Sequence, residues 1–452
     1  MRATLGAALA TVLPIVSSRS VTAAVASPPD AAAANPTRYI SASGSDSNDG
    51  LTPNTAWATI TKANSALPKD RSVLLFRRGD TFYGELNLPM GCEVGAYGAG
   101  DMPVLTLYKL LNRSAGWLEH SPGVWRVDLR SPTTHSGYTA TTDANVGFLL
   151  VDGVVHPRLK SDVESLSAPW DFACDTQNGM LYVKASANPT TLASDIRAAP
   201  NGSLVGAGGA VIHCEQGSND IHDVHITGAG GCGIVGSAPD VRIHHCLIDY
   251  IGGSKLLAVD PGGAMRYGNA IGNWINVVRW RIEGNEIAHV YDAAWSPQGY
   301  DPNGGPVSWQ DLAFRDNYAH DCGQMIEFWS QGSNPDSLGF VRIFVEGNRF
   351  ERAGYGAFAD ARADQEVRVH LLTYRLETPV DITIQNNLFD DAFGAYSYHA
   401  VDPPSGYITR NNTIRLRAQH LIQFQRPETV EQSAAWQVST GRESGSVFTV
   451  QL

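Results

Sequence analysis

Three carboxylates, Asp292, Glu327 and Asp360, each follow an asparagine that belongs to the same recurring motif: Asn285, Asn317 and Asn348 respectively. If the chain repeats as stacked strands, Glu327 and Asp360 lie one coil and two strand residues apart, about 4.8 Å by about 6.7 Å, or roughly 8 Å on the diagonal. That separation falls within the ~6.5–9.5 Å of an inverting glycosidase pair, in which one acid protonates the leaving oxygen and the other carboxylate activates water. Met325, Ile326, Phe328 and Trp329 flank Glu327, and apolar surroundings raise a carboxyl pKa by desolvation, as a general acid requires. Asp292, flanked by Tyr291 and Trp295, is the third catalytic candidate. The same stretches hold candidates for substrate binding. His289, Gln298, His320, Gln324 and Arg362 can hydrogen-bond hydroxyl groups, and the rings of Tyr291, Trp295, Trp309 and Trp329 suit the C–H faces of sugars. A solvated turn residue or an aromatic capping a coil end would look the same taken singly; the clustering is what points to a site.

The elements that must hold these residues repeat. An apolar residue, two others, Asn, one other and a second apolar residue recur in six copies: Ile243/Cys246/Ile248, Ile282/Asn285/Ile287, Phe314/Asn317/Ala319, Val345/Asn348/Phe350, Ile384/Asn387/Phe389 and Thr409/Asn412/Ile414. Alternation continues upstream, as in Val278-Trp280-Ile282 and Val380-Ile382-Ile384, which is strand periodicity. The copies are unevenly spaced, as in a solenoid whose coils carry variable loops. Stacked coils bring equivalent residues to about 4.8 Å, so the Asn side chains can ladder and satisfy one another at a sharp turn, where Asn also tolerates left-handed backbone. The extra length concentrates at 288–311, 320–338 and 353–379, expected to be loops on a binding face.

The amino-terminal run from Tyr39 to Gly50 (YISASGSDSNDG), followed by Ala56-Trp57-Ala58-Thr59-Ile60, Ser72-Val73-Leu74-Leu75-Phe76 and Gly79-Asp80, resembles the start of pectate-lyase-like β-helix proteins. The resemblance implies an all-β right-handed parallel β-helix with a helical N-terminal cap. Residues 56–67 have the helical spacing for that cap, with Trp57, Ile60, Ala63 and Leu67 apolar. Between roughly 104 and 200 the coil pattern lapses. Gly147-Phe148-Leu149-Leu150-Val151-Asp152-Gly153, Trp170-Asp171 and Gly179-Met180-Leu181-Tyr182-Val183 look like the inserted β-subdomain of secreted β-helix glycosidases of the fucosidase and xylanase type. The expected organisation is a leader over 1–34, cap and first coils over 35–103, inserted β-subdomain over 104–200 and β-helix over 201–452.

The chain is 43% hydrophobic and 17% charged, which suits a packed core and excludes disorder. Arg2, an apolar stretch from Leu5 to Val16 and Ala24-Val25-Ala26 read as a secretion signal, and no later run is long and apolar enough to span a bilayer. A net charge of −12 without a basic block argues against nucleic acid or an anionic membrane as partner. The six cysteines allow either disulfides or buried thiols. No zinc spacing is present; Asp-rich turns could take Ca2+, but without a loop signature, so no cofactor is expected.

The expected function is an extracellular glycoside hydrolase acting on a polysaccharide or oligosaccharide. The first alternative is a lyase or C5-epimerase acting on a uronate polymer. Tyr300-Asp301-Pro302 resembles the Tyr/Asp/Pro motif of mannuronan epimerases, with Asn303 where a His belongs. Arg266, Arg279 or Arg362 would then neutralise the uronate, and His289 or His320 would move the proton. The second alternative is a non-catalytic glycan-binding surface protein, which needs the aromatics but no carboxylate pair.

Overall fold

The computed structural model describes residues 35–451, except 140–143, 203–208, 258, 333, 400 and 401. The leader expected over 1–34 lies outside the described residues. Among these residues no helix is long and apolar enough to cross a membrane.

Short strands follow one another around three parallel sheets, one strand per sheet in each turn of the chain. One coil consists of Trp280–Glu283, Glu286–Val290 and Ala293–Gly299; the next brings Ala313–Arg315, Tyr318–His320 and Gln324–Ser330. The two stack in parallel register through Ile282 on Phe314, Ile287 on Ala319 and Trp295 on Ile326. Phe314, Ala319 and Ile326 then stack on Val345, Phe350 and Leu371. This is a parallel β-helix. The inward residue of each pair is buried, so columns of Ile, Val, Phe and Leu run through a single core.

The asparagine ladder forms at the turn from the first sheet to the second. Asn285 donates both its backbone N–H and its Nδ2 to Asn317 Oδ1 (3.0 Å each), and Asn317 does the same to Asn348 (2.9 and 3.2 Å). Asn348 repeats the pattern on Asn387 (3.0 and 2.9 Å), and Asn387 on Asn412 (2.9 and 3.1 Å). Cys246 begins the ladder by donating its N–H to Asn285 Oδ1 (3.0 Å). The left-handed residue is not the asparagine but its predecessor: Gly284, Asp316, Gly347, Asn386 and Asn411 all have φ between 53° and 69°. The asparagine is therefore there for its amide. At the far end Asn412 Nδ2 donates to Glu443 (3.0 Å), a wholly buried carboxyl that also accepts from Tyr396 and Ser446; burial holds its pKa above the ordinary value.

Both ends of the core are covered. The N-terminal helix is shorter than its apolar spacing suggests, Ile60–Ala66, because Thr59 caps it by accepting from the Lys62 N–H. Ile60 and Ala63 bury against the first coils, and Trp57 joins them from the extended segment before the cap. At the other end, helix Ser433–Thr440 presses Trp436 onto Tyr396, ring centroids 5.8 Å apart.

Between Val104–Thr106 in the second sheet and Ala210–His213 in the third, the chain leaves the coil and builds antiparallel sheets of five and four strands. They have a core of their own that includes Trp117, Val127, Leu149, Phe172, Leu181 and Ile196. Val104–Thr106 itself pairs in parallel with Thr81–Tyr83, so the excursion begins after it. The corner from second to third sheet also carries the excursions 252–270 and 354–368. The stretches expected as long loops, 288–311, 320–338 and 353–379, contain the third sheet itself: Ala293–Gly299, Gln324–Ser330 and Val369–Leu376. These strands bury residues on both faces, which erases the alternation by which a strand is recognised. Of the cysteines, Cys92, Cys214, Cys232, Cys246 and Cys322 are buried free thiols.

Asn317→Ala should lower the unfolding free energy by about 3 kcal/mol, because it leaves two buried donors of Asn285 without an acceptor. Denaturant titration measures this; a loss below about 1 kcal/mol would show that the ladder contributes no more than an ordinary hydrogen bond.

Candidate active site

The corner between second and third sheets is built around one guanidinium. Arg362, in the excursion 354–368, donates Nη1 to Asp292 Oδ1 (2.9 Å) and to the Tyr291 carbonyl (3.0 Å). Its Nε and Nη2 grip Asp364 at 3.0 and 2.8 Å as a two-pronged fork. Burial by itself would depress the guanidinium, but Asp292 and Asp364 more than offset it, and Arg362 stays charged. Tyr291 lies between two arginines, with Arg266 4.5 Å and Arg362 5.0 Å from its ring centroid. Phe358 stands edge-on to both Tyr291 and Phe148 (6.3 and 5.0 Å), so the inserted sheets buttress the segment that delivers Arg362. Gln324 Nε2 adds a bond to Asp292 Oδ1 (2.6 Å).

Glu327 lies on strand Gln324–Ser330 between Ile326 and Phe328, both of which enter the core, so its side chain leaves the sheet on the outer face. It is nevertheless only 5% exposed. Ser296, its neighbour on the preceding coil, donates Oγ–H to Oε2 at 3.2 Å. Desolvation, reinforced by the negative charge of Asp292, pushes the Glu327 carboxyl up to about 8 against the pull of Arg362 and the Ser296 hydroxyl. Glu327 is thereby held toward its neutral form, beside Asp292, which Arg362 and Gln324 engage. Tyr374, on the next coil, is close enough for Glu327 and Asp292 to act on it; burial first and then those charges raise its phenol, which remains a hydrogen-bond donor. Its ring rests against His399 at 4.3 Å.

Of the residues expected from sequence, the structure brings Glu327, Asp292, Gln324 and Arg362 together, with Tyr291 as the ring that supports Arg362. Asp360 does not join them. It lies on the short helix Ala357–Asp360 rather than on a strand, is 67% exposed and pairs with Arg368 at 2.9 Å, so the diagonal spacing assumed for it and Glu327 does not arise. Trp295 and Trp309 are wholly buried, stacked on Phe314 (5.4 Å) and Phe340 (4.5 Å), because each occupies an inward strand position. His289 and His320 are on the second sheet, around the corner: His289 stacks on Tyr250 (4.9 Å), and His320 bonds Asp321 (2.7 Å). Gln298 and Trp329 pair in register further along the third sheet.

Among the described residues no group of three or more His, Cys, Asp and Glu side chains could hold a metal ion. No family model matches the chain, and no curated protein matches it. Among solved structures the chain is similar to XylC in its complex with xylose (13% identity, 86% of this chain and 64% of that one, TM-score 0.47). It is also similar to a GH136 lacto-N-biosidase from Eubacterium ramulus (11%, 92% and 68%, 0.36) and to the pectate lyase Pel9A (9%, 85% and 78%, 0.34). The chain spans 64% of the length of XylC. Likeness at this level carries no chemistry, which has to be read from the site itself.

Ser296, Asp364 and Tyr374 are the site residues that sequence reasoning missed. Ser296 and Tyr374 sit on third-sheet strands in which burial on both faces hides the alternation of a strand. Asp364 carries the one local signal, an acid two residues after Arg362 on the same short excursion.

Folded Glu327 keeps its proton through a range, from about 4.5 to about 8, in which the unfolded chain has released it. Wild-type stability should therefore decline as pH rises through that window. Glu327→Gln has no proton to lose and should exceed wild type by on the order of a few kcal/mol above the folded pKa, with little difference in acid. Denaturation series at several pH values test this, and parallel pH profiles for the two proteins would refute it.

Proposed function

We propose that the chain is an extracellular enzyme that hydrolyses glycosidic bonds in a polysaccharide or oligosaccharide. The observation that supports this reading is the pairing of a buried Glu327, whose pKa burial raises, on the outer face of the third sheet with the arginine-held carboxyl of Asp292. A carboxyl held toward its neutral form by burial, beside a second carboxyl anchored by an arginine, supplies the two groups that glycoside hydrolysis needs. Glu327 donates its proton to the leaving glycosidic oxygen, and the charge it acquires is met by the Ser296 hydroxyl and the field of Arg362. Asp292 serves the anomeric carbon, either directly or through a water. The bonds from Gln324 and Arg362 both fall on its Oδ1, which keeps Oδ2 for that task. Arg362 is engaged by two aspartates, which argues against its use as the neutralising cation for a uronate. Residues 1–34 are proposed as the export leader on their sequence pattern.

Glu327→Gln and Asp292→Asn should each lower kcat by about 10²–10⁴-fold on the cleaved glycan, whereas Asp360→Asn should stay within about twofold of wild type. The rate should fall as pH rises past about 8, where Glu327 loses its proton. A panel of neutral and uronic-acid glycans, read for both reducing ends and unsaturated uronate, decides the class. Unsaturated product would replace hydrolysis with β-elimination. A chain that binds a glycan and cleaves none would be a binding protein.

A further inference from the structure

The outer face of the third sheet carries a second feature beyond Glu327. Trp329 is two residues further along the same strand, so its side chain leaves the sheet on the same side, about 6.7 Å away along the chain. Its ring lies 6.0 Å from that of Trp274 and 5.8 Å from that of Tyr300, and these two are 6.0 Å apart. Three successive coils supply the rings: Trp274 follows Ile271–Asn273, Tyr300 follows Ala293–Gly299, and Trp329 is in Gln324–Ser330. The planes meet at 61° to 66°, so the rings form a cup instead of a closed stack. Trp274 is 41% exposed and the other two are half-buried.

This cup is held from two sides. Gly299 has φ +140, and a Cβ there would come within 2.9 Å of Trp274 Cδ2 and 3.0 Å of Ile275 Cγ2, so the indole lies on bare backbone of the next coil. From the core, Trp309 donates its indole N–H to the carbonyl of Trp274 (2.6 Å) and more weakly to that of Asn273 (3.2 Å). Trp309, expected from sequence to touch substrate, is instead a positioning residue for the turn that presents Trp274. Gln298, in register with Trp329, brings a half-buried amide to the same face. An indole kept open to water by a glycine and a buried hydrogen bond is an arrangement that core packing does not require.

We infer that Trp274, Tyr300 and Trp329 form a sugar-stacking subsite for the pyranose unit adjoining the bond that Glu327 protonates, with Gln298 hydrogen-bonding a hydroxyl. The inference rests on the proposed hydrolase reading of Glu327. Because acid and cup share one strand, the glycan crosses the third sheet along the strand direction and not along the stacking axis of the coils.

The test uses xylohexaose, cellohexaose and laminarihexaose with the full chain carrying Glu327→Gln, so that binding is measured by calorimetry without turnover. Trp274→Ala should weaken binding of the preferred hexaose about tenfold, and Trp274→Phe should restore most of it. Gly299→Ala removes no aromatic ring yet should weaken binding similarly by displacing the indole. In the active enzyme, Trp274→Ala should raise KM with kcat little changed. Equal binding by the parent and Trp274→Ala, or no binding of any hexaose, would overturn the subsite. Full cleavage by Glu327→Gln together with Trp274-dependent binding would remove the acid assignment and leave the subsite standing.

Discussion

The ladder asparagines share one arrangement: on Asn317, Asn348, Asn387 and Asn412 a single Oδ1 takes two donors, N–H and Nδ2, from the asparagine of the coil before. Coils at the spacing of hydrogen-bonded strands are the only arrangement that satisfies all these buried groups at once. A slip of one residue would strand both donors of each rung and move the inward columns of Ile, Val and Phe to the outside. The left-handed residue before each asparagine turns the chain, and the asparagine holds the turn to its neighbours. The ladder thereby fixes the relation between first and second sheets, and it ends at Glu443 and Ser446, which take the Asn412 amide and backbone N–H that a further asparagine would have accepted.

With that corner pinned, variation is displaced to the others. The inserted antiparallel sheets and the excursions 252–270 and 354–368 all leave at the corner between second and third sheets, and they meet around Tyr291, which Phe358 and Arg266 touch and which Phe148 backs through Phe358. A wall assembled from distant parts of the chain shields the end of the third sheet from water. This burial gives Arg362 its reach to Asp292 and Asp364, and it makes the protonated state of Glu327 the favoured one. Asp292 and Asp364 bond to Arg362 directly, and Glu327 is the carboxyl of this corner whose pKa burial raises. A carboxyl so raised subtracts from stability as pH climbs above its unfolded value.

The chain by itself determined the repeat. Alternating apolar residues around Asn285, Asn317, Asn348, Asn387 and Asn412 specify strands, a turn and a stack, because a period of two and a recurrent buried amide are properties of local sequence. The direction of the Glu327 shift matches what its apolar flanks suggest, but Ile326 and Phe328 enter the core on the other face, and burial of the corner raises the pKa instead. The third sheet was not legible, since strands buried on both faces lose the alternation that would reveal them, and Trp295 was therefore read as a loop aromatic when it is core. Only the tertiary structure decided which carboxylate partners Glu327. Asp292 and Asp360 look alike in sequence, but the choice depends on where the excursion 354–368 folds back, which places Arg362 on Asp292 and leaves Asp360 in solvent with Arg368. That folding back is set by contacts with residues such as Phe148, far away in the chain, and no local pattern encodes a contact made at that distance.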